Sequence, residues 1–143
     1  MMMSARSLLA DGLLRCGVDG RNLHEHLRES GRVYVCFAAG TGCGGVTIDA
    51  DLLDNHVAAR VLGRFAQPPI RDRLWSAMQR RHGAPPDLDP DQWVSDLAGW
   101  WTNEATTTTE RRELVMTILD HLTVAPAAGP DTADLERVTW HWR

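Results

Sequence analysis

The 143-residue chain contains no lysine, so its basic side chains are all arginine, and 19 acidic residues outnumber the 15 arginines. A formal net charge of −4 argues against a generally basic nucleic-acid-binding protein. The acidic excess is uneven, however, because residues 1–45 hold five arginines and four acids, whereas residues 46–143 hold ten and fifteen. We therefore expect any contact with a polyanion to lie in the first third of the chain.

Long apolar runs are also missing, since no stretch approaches the ~18 apolar residues that a membrane-spanning helix requires. The opening segment MMMSARSLLADGLLRCG lacks the extended apolar region and the small-residue cleavage site of a secretory signal. Three cysteines cannot all pair within one chain, which disfavours a disulfide scaffold and favours thiols that are free or bound to a metal. We expect a soluble cytoplasmic protein with no membrane partner.

Short β-type patterns dominate the first third. Residues 12–15, 32–37 and 46–48 are typical of strands and are separated by turn-forming residues. Asp49 is placed to cap a helix from Ala50 to about Phe65. The apolar stripe of this helix consists of Leu53, Val57, Val61 and Phe65.

The next two predicted helices flank a turn-rich loop. One begins near Pro69 and ends before His82, and the other begins at Asp91. Between them, HGAPPDLDPD is rich in turn formers and acids and is the candidate linker. Tryptophans in both helices fall beside apolar residues at helical spacing, so we expect them in the core.

A fourth helix is predicted after the TTTT segment. Thr107 and Glu110 form a capping box for this helix. Its apolar stripe consists of Leu114, Ile118 and Leu122. Residues 123–127 and 137–142 then have the pattern of two short terminal strands, the second with Val138, Trp140 and Trp142 on one face.

Gly40, Gly42 and Gly45 satisfy the GxGxxG pattern of dinucleotide-binding folds. In that fold the last glycine opens a helix whose N-terminal amides hold the pyrophosphate. Here Gly45 is followed by VTI, which favours extended structure, so the helix begins several residues too late. A nucleotide-binding enzyme is therefore only a third alternative for the function.

A metal-binding knuckle explains the glycines better, because glycines beside a zinc-bound thiolate let the backbone turn tightly and aim its amides at the sulfur. The candidate ligands are Cys16, Asp19, Cys36 and Cys43. Asp19 stands where the second cysteine of a CxxC pair is expected, and carboxylate oxygen binds zinc at about 2.0–2.2 Å, although this harder ligand weakens the site. His24 and His26 are possible substitutes. The alternative is a set of buried thiols that no longer binds metal.

Several segments resemble the zinc β-ribbon region of the large serine recombinases, which include phage-type serine integrases and transposon recombinases. These segments are SLLADGLLRCG, VYVC, GCGGVTIDADLLDNHVAARVLGRF, LAGWWTNEATTTTERRELVMTILDHLTVAP and LERVTWHW. In that family a cysteine-containing ribbon leads into a helix that crosses away from the metal, and an ERR-type helix and a short strand close the domain. The resemblance covers almost the whole chain, with its parts in the family's order.

The sequence departs from the family pattern at three places. Asp19 replaces a cysteine, and the loop QRRHGAPPDLDPDQW stands where the family inserts a long coiled coil that bridges recombinase subunits. Only fifteen residues precede Cys16, so we expect no catalytic domain with a serine nucleophile and an arginine cluster. No serine of the chain has the surroundings of an activated nucleophile. The chain is therefore expected not to be an enzyme.

The resemblance implies that the hairpin between Asp19 and Val33 approaches double-stranded DNA. Its candidate DNA-binding residues are Arg21, Asn22, Arg28 and Arg32. Arginine contacts phosphates or guanine, and asparagine suits adenine. The expected function is DNA binding at a recombination site by a truncated relative of the large serine recombinases, with a full-length serine recombinase as a further candidate partner. The alternative is a metal-free structural or protein-interaction remnant.

These patterns together predict a single α+β domain over residues 1–143. A zinc-ribbon-like β module covers residues 1–49. Three or four helices and a terminal pair of strands follow over residues 50–143.

Overall fold

The computed structural model describes residues 7–10, 12–36, 45–82, 90–127 and 134–143. Within these ranges two three-stranded sheets and four α-helices confirm the α+β class. The chain divides into two compact units, one formed by Met1–His56 with Thr108–Arg143 and the other by Val57–Thr107. A single domain over the whole chain stays a prediction.

The secondary-structure elements follow closely from the sequence patterns. In order they are β1 (Leu14–Cys16), β2 (His24–Arg28), β3 (Gly31–Val35), β4 (Thr47–Asp49), α1 (Ala50–Phe65), α2 (Pro68–His82), α3 (Pro90–Thr102), α4 (Thr108–Ile118), β5 (Leu119–Val124), a short 3₁₀ helix (Leu135–Arg137) and β6 (Val138–Trp142). The three strands predicted in the first third correspond to β1, β3 and β4, with ends shifted by one or two residues. β2 lies in the segment between Asp19 and Val33, where the family resemblance implies a hairpin but the residue pattern alone predicts no strand.

The first sheet has the strand order β1-β5-β6. β1 runs parallel to β5, with Leu14 opposite Leu122 and Cys16 opposite Val124, and all four side chains are buried. β5 and β6 are antiparallel. The first strand of the predicted 1–49 module therefore belongs to the same sheet as the C-terminal strands.

The alternation predicted for the last strand is confirmed. Val138 is buried on β6, and the rings of Trp140 and Trp142 stack nearly parallel with their centroids 5.0 Å apart. His56 of α1 meets Trp140 edge-on, with 5.5 Å between ring centroids. Both tryptophans remain partly exposed, so they lie at the margin of the core.

The second sheet, β2-β3-β4, is antiparallel throughout. β2 and β3 form a hairpin whose two-residue turn is Glu29 and Ser30, and Gly31, directly after the turn, has a φ of +124° that favours glycine. Every residue of β2 is exposed, whereas Val33, Tyr34 and Val35 of β3 are buried. β2 thus projects as the exposed strand of a hairpin anchored by β3.

The helix α1 begins and ends where the sequence predicts. The Asp49 carboxylate accepts a 2.9 Å hydrogen bond from the Leu52 amide, which is an N-cap contact. All four residues of the predicted apolar stripe are fully buried: Leu53, Val57, Val61 and Phe65. Among the described residues, none of the helices combines the length and apolarity needed to cross a membrane.

The fourth helix ends earlier than the sequence predicts. It begins directly after Thr107, as the capping box requires, but Leu122 lies in β5 and does not extend the helical stripe. β5 is the central strand of its sheet and pairs with β1 on one side and β6 on the other. Because two ladders of hydrogen bonds and the burial of Leu119, Leu122 and Val124 favour the strand, tertiary pairing overrides the local helical pattern.

A buried arginine joins the two sheets. Arg137 is only 8% exposed and donates to the carbonyl oxygens of Thr47 at 2.9 Å, Ala125 at 3.0 Å and Asp134 at 3.2 Å. Thr47 begins β4 in the second sheet, and Ala125 directly follows β5 in the first. The planar guanidinium thereby satisfies carbonyls from three segments at once.

The unit Val57–Thr107 is helical and has apolar contacts of its own. α2 and α3 pack together, and Trp75 and Leu97 are buried. After α3, the buried Thr106 hydroxyl donates a 2.6 Å hydrogen bond to the Trp100 carbonyl. This bond satisfies a carbonyl at the helix C-terminus and closes the turn toward α4.

A network of ionisable groups lies between β3 and the start of α1. The Tyr34 hydroxyl donates to Asp54 at 2.7 Å, and Arg32 donates to the other oxygen of the same carboxylate at 3.3 Å. Burial raises the pKa of Asp54, and the bonds from Tyr34 and Arg32 oppose that shift. Burial, reinforced by the adjacent Asp54 charge, raises the pKa of Tyr34 well above its usual value.

Tyr34 is the chain's only tyrosine, which makes this network testable. Because the folded state keeps the phenol protonated while the unfolded chain ionises near pH ~10, stability should fall above that pH, by up to about 1.4 kcal/mol per pH unit. Urea unfolding at a series of alkaline pH values measures this slope, and tyrosinate absorbance should appear only on unfolding. Tyr34→Phe should abolish the tyrosine part of the slope. Tyrosinate absorbance in the folded protein near pH 10 would contradict the assignment.

Candidate metal centre

The chain makes a tight knuckle directly after β1. The Cys16 amide donates to the Arg21 carbonyl at 2.7 Å, and the Gly20 amide donates back to the Cys16 carbonyl at 2.9 Å. Gly20 has a φ of +75°, a left-handed conformation that glycine adopts without strain. Residues 16–21 therefore form a closed turn that returns the chain beside its own start.

The C-terminal strand holds this knuckle in place. The Gly17 amide donates a 2.8 Å hydrogen bond to the Val124 carbonyl, one residue beyond the paired positions of Cys16 and Val124. A Cβ atom on Gly17 would lie 2.9 Å from that carbonyl oxygen. Only glycine permits this approach, so the glycine after Cys16 is explained by packing as well as by the turn.

Three of the four predicted ligands converge at the knuckle. Cys16, Asp19 and Cys36 each offer a ligand atom, and these atoms all lie within 4.8 Å of one another. The Cys36 sulfur is 3.5 Å from one Asp19 oxygen and 3.8 Å from the other. Such a group can hold a metal ion. The fourth predicted ligand, Cys43, lies outside the described residues.

The backbone around the two sulfurs orients them. The Val18 amide donates to the Cys16 sulfur at 3.3 Å, a contact that stabilises a thiolate. Cys36 directly follows β3, and its amide donates to the Val46 carbonyl at 3.0 Å just before β4. Both cysteines are 1% exposed and form no disulfide, so their buried thiols are available as metal ligands.

Asp19 completes the group from the solvent side. Its side chain is exposed, and its Oδ1 accepts a 2.9 Å hydrogen bond from the Arg21 amide. That bond, helped by weaker contacts with the two thiols, lowers the pKa of Asp19 despite an opposing desolvation effect. The carboxylate is therefore held ionised, which is the form that binds a cation.

Two thiolates and one carboxylate favour a borderline metal such as Zn²⁺ over Mg²⁺ or Ca²⁺, which prefer all-oxygen sites. A closed structural zinc site needs a fourth ligand. His24 and His26, the suggested substitutes, are exposed on β2, and neither belongs to the ligand group found among the described residues.

The four predicted DNA-binding residues fall into two environments. Arg21 ends the knuckle, Asn22 follows it, Arg28 ends β2, and all three are exposed. Arg32 instead contacts the carboxylates of Glu25, Asp51 and Asp54. These ion pairs occupy its guanidinium. Because Glu25 lies on the hairpin and both aspartates lie on α1, Arg32 links these two elements.

Sequence reasoning missed the carboxylates around Arg32. Asp51 and Asp54 lie three residues apart and hence on the same side of α1, which was the available signal. Glu25 could not be assigned without β2, where it faces Tyr34 across the hairpin. The contact of Gly17 with Val124 had no signal in the local sequence.

Comparison with known proteins gave no match to a family model, to a curated protein or to a solved structure. The resemblance to large serine recombinases therefore stays a prediction. The geometry of the candidate site stands independently of that resemblance.

Substitution of Gly17 tests the packing of the knuckle on β5. Gly17→Ala places a methyl group against the Val124 carbonyl and strains the hydrogen bond there, so the free energy of unfolding should fall by about 1–3 kcal/mol. Gly63→Ala is the matched control, because its position in α1 is exposed with open space around the Cβ. This control should stabilise the protein by about 0.5–1 kcal/mol. Equal effects of both substitutions in chemical denaturation would refute the close approach.

Metal binding can be followed with cobalt(II), whose coordination by thiolates gives charge-transfer absorption. Wild-type protein should bind about one ion, and Cys16→Ser or Cys36→Ser should weaken binding and reduce the intensity of the thiolate band, because each substitution removes one of the sulfur ligands. Asp19→Cys, a softer ligand, should tighten binding by roughly tenfold or more. Glu113→Ala removes an exposed carboxylate elsewhere and should change nothing.

The ligand outside the described residues is tested by Cys43→Ser, which should weaken binding if the predicted four-ligand site forms. Wild-type protein without a thiolate band, or a band whose intensity is the same in wild type, Cys16→Ser and Cys36→Ser, would rule out this metal centre.

Proposed function

We propose that the chain is a non-catalytic DNA-binding module in which a zinc ion at Cys16, Asp19 and Cys36 stabilises an arginine-bearing surface. The observation that carries the proposal is the convergence of these three ligand groups directly beside Arg21 and Asn22. The Asp19 carboxylate accepts a hydrogen bond from the backbone amide of Arg21. A cation bound to Asp19 would therefore also hold the backbone of Arg21 in place. Cys43 is the proposed fourth ligand.

The β2–β3 hairpin has the right form for a groove. A two-stranded β-ribbon fits the major groove of B-form DNA, which is ~12 Å wide. Arg28 stands beside the two-residue turn, and β2 is exposed along its whole length. Arg21 lies three residues before β2 and Arg28 ends it, so the two arginines flank the exposed strand and are available to phosphates or base edges.

The charge of the β2–β3 hairpin is better suited to DNA than the net negative charge of the whole chain indicates. Glu25 is neutralised by Arg32 and also accepts a hydrogen bond from Ser7. Arg21 and Arg28 have no ion pair among the described residues. The remaining acid of the hairpin, Glu29, is at the turn. Two uncommitted arginines supply few phosphate contacts, so affinity should be modest and strongly dependent on salt.

The family part of the proposal follows the sequence resemblance. On that basis the chain is proposed to be a relative of the large serine recombinases that occupies recombination-site DNA in the cytoplasm and has a full-length serine recombinase as candidate partner. A role without catalysis is expected because the segments that resemble the family correspond to its DNA-binding region.

A protein-interaction module is the second candidate, favoured by one observation. Leu27 on β2 is 73% exposed, and Val18 in the knuckle is 58% exposed. Apolar side chains at such positions are suited to a protein partner. The nucleotide-binding alternative has less support, because β4 and not a helix follows Gly45.

DNA binding is tested by fluorescence anisotropy with attachment-type and unrelated duplexes over a range of salt concentrations. Arg21→Ala/Arg28→Ala should weaken binding about tenfold or more and reduce the slope of log K against log salt by about two. Arg73→Ala removes an exposed arginine from α2 and should have little effect. Chelation of the metal should weaken binding as the double substitution does.

Absence of binding at low salt would reject the DNA-binding function and favour the protein-interaction alternative. Equal losses for the double variant and Arg73→Ala would reduce the interaction to a general charge effect.

A further inference from the structure

One face of the first sheet carries a row of hydrogen-bonding side chains. Asn22 pairs with Arg15 of β1, Arg15 is opposite Thr123 of β5, and Thr123 is opposite Thr139 of β6. Directly paired residues project from the same face of a sheet. These four residues therefore form one continuous row across the sheet.

A histidine pair extends this row along the strands. His121 and His141 lie two residues from Thr123 and Thr139 and are directly opposite each other, so they share the same face. Their rings are stacked, with centroids 4.1 Å apart and an angle of 11° between the planes. The Nε2 atom of His141 lies 3.2 Å from the Thr123 hydroxyl. We call the six residues Asn22, Arg15, Thr123, Thr139, His121 and His141 the outer face.

The outer face is open to a ligand, since the opposite face of the same strands supplies the core. Leu14, Leu122 and Val124 point inward and are fully buried. On the outer face Asn22 and Thr139 are exposed and the other four residues are partly exposed. A sheet with one buried apolar face and one polar face leaves the polar face to solvent or to a partner.

The charge of the outer face favours an anion. Arg15 donates its Nε to the Gly12 carbonyl at 3.0 Å, which fixes the guanidinium and leaves its terminal amino groups without a protein acceptor among the described residues. None of the six residues is acidic. The adjacent carboxylate, Asp120, bonds to the Nδ1 atom of His121 and lies 3.7 Å from Arg143. Arg143 and Arg15 are the cations that offset its negative charge, so an anion on the outer face would compete with Asp120 for Arg15.

We propose that the outer face binds the phosphodiester backbone of double-stranded DNA and continues the contact made by the knuckle. The inference rests on the proposed function, because it takes DNA as the occupant. Two features support that occupant: a fixed guanidinium is grouped with hydroxyl, amide and imidazole groups, and Asn22 belongs both to the outer face and to the segment that carries Arg21. Phosphate oxygens are the acceptors that such donors contact in DNA complexes.

The assignment is tested by titrating the isotopically labelled full chain with a short DNA duplex and following backbone amide signals by NMR. The expected result is simultaneous shifts for Arg15, Thr123 and Thr139 and for Arg21 and Arg28. Shifts confined to the hairpin would overturn the outer-face proposal and leave DNA binding intact. Shifts confined to the outer face would support it and overturn the hairpin assignment. The absence of shifts in both would overturn both.

Substitutions on the outer face give an independent measure. Arg15→Gln should reduce the salt slope of duplex binding by about one. Because loss of the bond to Gly12 can also weaken the fold, Thr139→Glu provides a second variant at an exposed position and should lower affinity at least about fivefold by like-charge repulsion. Thr109→Glu adds the same charge in the first turn of α4, where it favours the helix. If Thr139→Glu weakens binding no more than Thr109→Glu does, the outer face does not contact the phosphates.

Discussion

The parallel pairing of β1 with β5 is the contact on which the first unit depends. It places residue 14 opposite residue 122 and positions the Val124 carbonyl to accept a hydrogen bond from the Gly17 amide. The knuckle that follows β1 is consequently supported from the far end of the chain. Closing so long a loop costs conformational entropy, and the burial of apolar side chains must offset this cost. The paired leucines and Val124 are fully buried and supply part of that stabilisation.

Asp19 changes the character of the candidate metal site without changing its place. The two thiols are buried beneath the turn, whereas the carboxylate stands on the solvent side and is kept ionised chiefly by the Arg21 amide. A site of this kind can exchange its ion more readily than four buried thiolates, since one ligand is both harder and exposed. Metal binding would contribute to folding by joining β1, the knuckle and the end of β3.

Local sequence patterns were sufficient for elements whose stability is local. The Asp49 cap and the four-residue spacing of apolar side chains predicted α1 correctly at both ends, because capping and one-sided burial act within the helix itself. The end of α4 could not be predicted, since the segment from Leu119 gains its strand conformation from partners on both sides. For the site, the spacing of cysteines and glycines predicted a cluster that includes Cys16, Asp19 and Cys36, and these three residues do lie together. The contact of Gly17 with β5 could not be predicted in this way, because it depends on a strand far away in the sequence.

The arginines show that composition alone does not indicate which basic side chains the fold itself uses. Arg137 and Arg112 are buried and donate to backbone carbonyls, the latter to residues 8 and 10, and Arg32 is held by carboxylates. Three arginines of the first unit are thus used within the fold, where a planar fork satisfies several acceptors that lysine cannot match. Arg15 lies on β1 and Arg21 ends the turn that follows it, so both belong to the part of the fold to which the proposal assigns DNA binding. In a chain with net negative charge, the proposed binding would have to come from the local placement of these few groups.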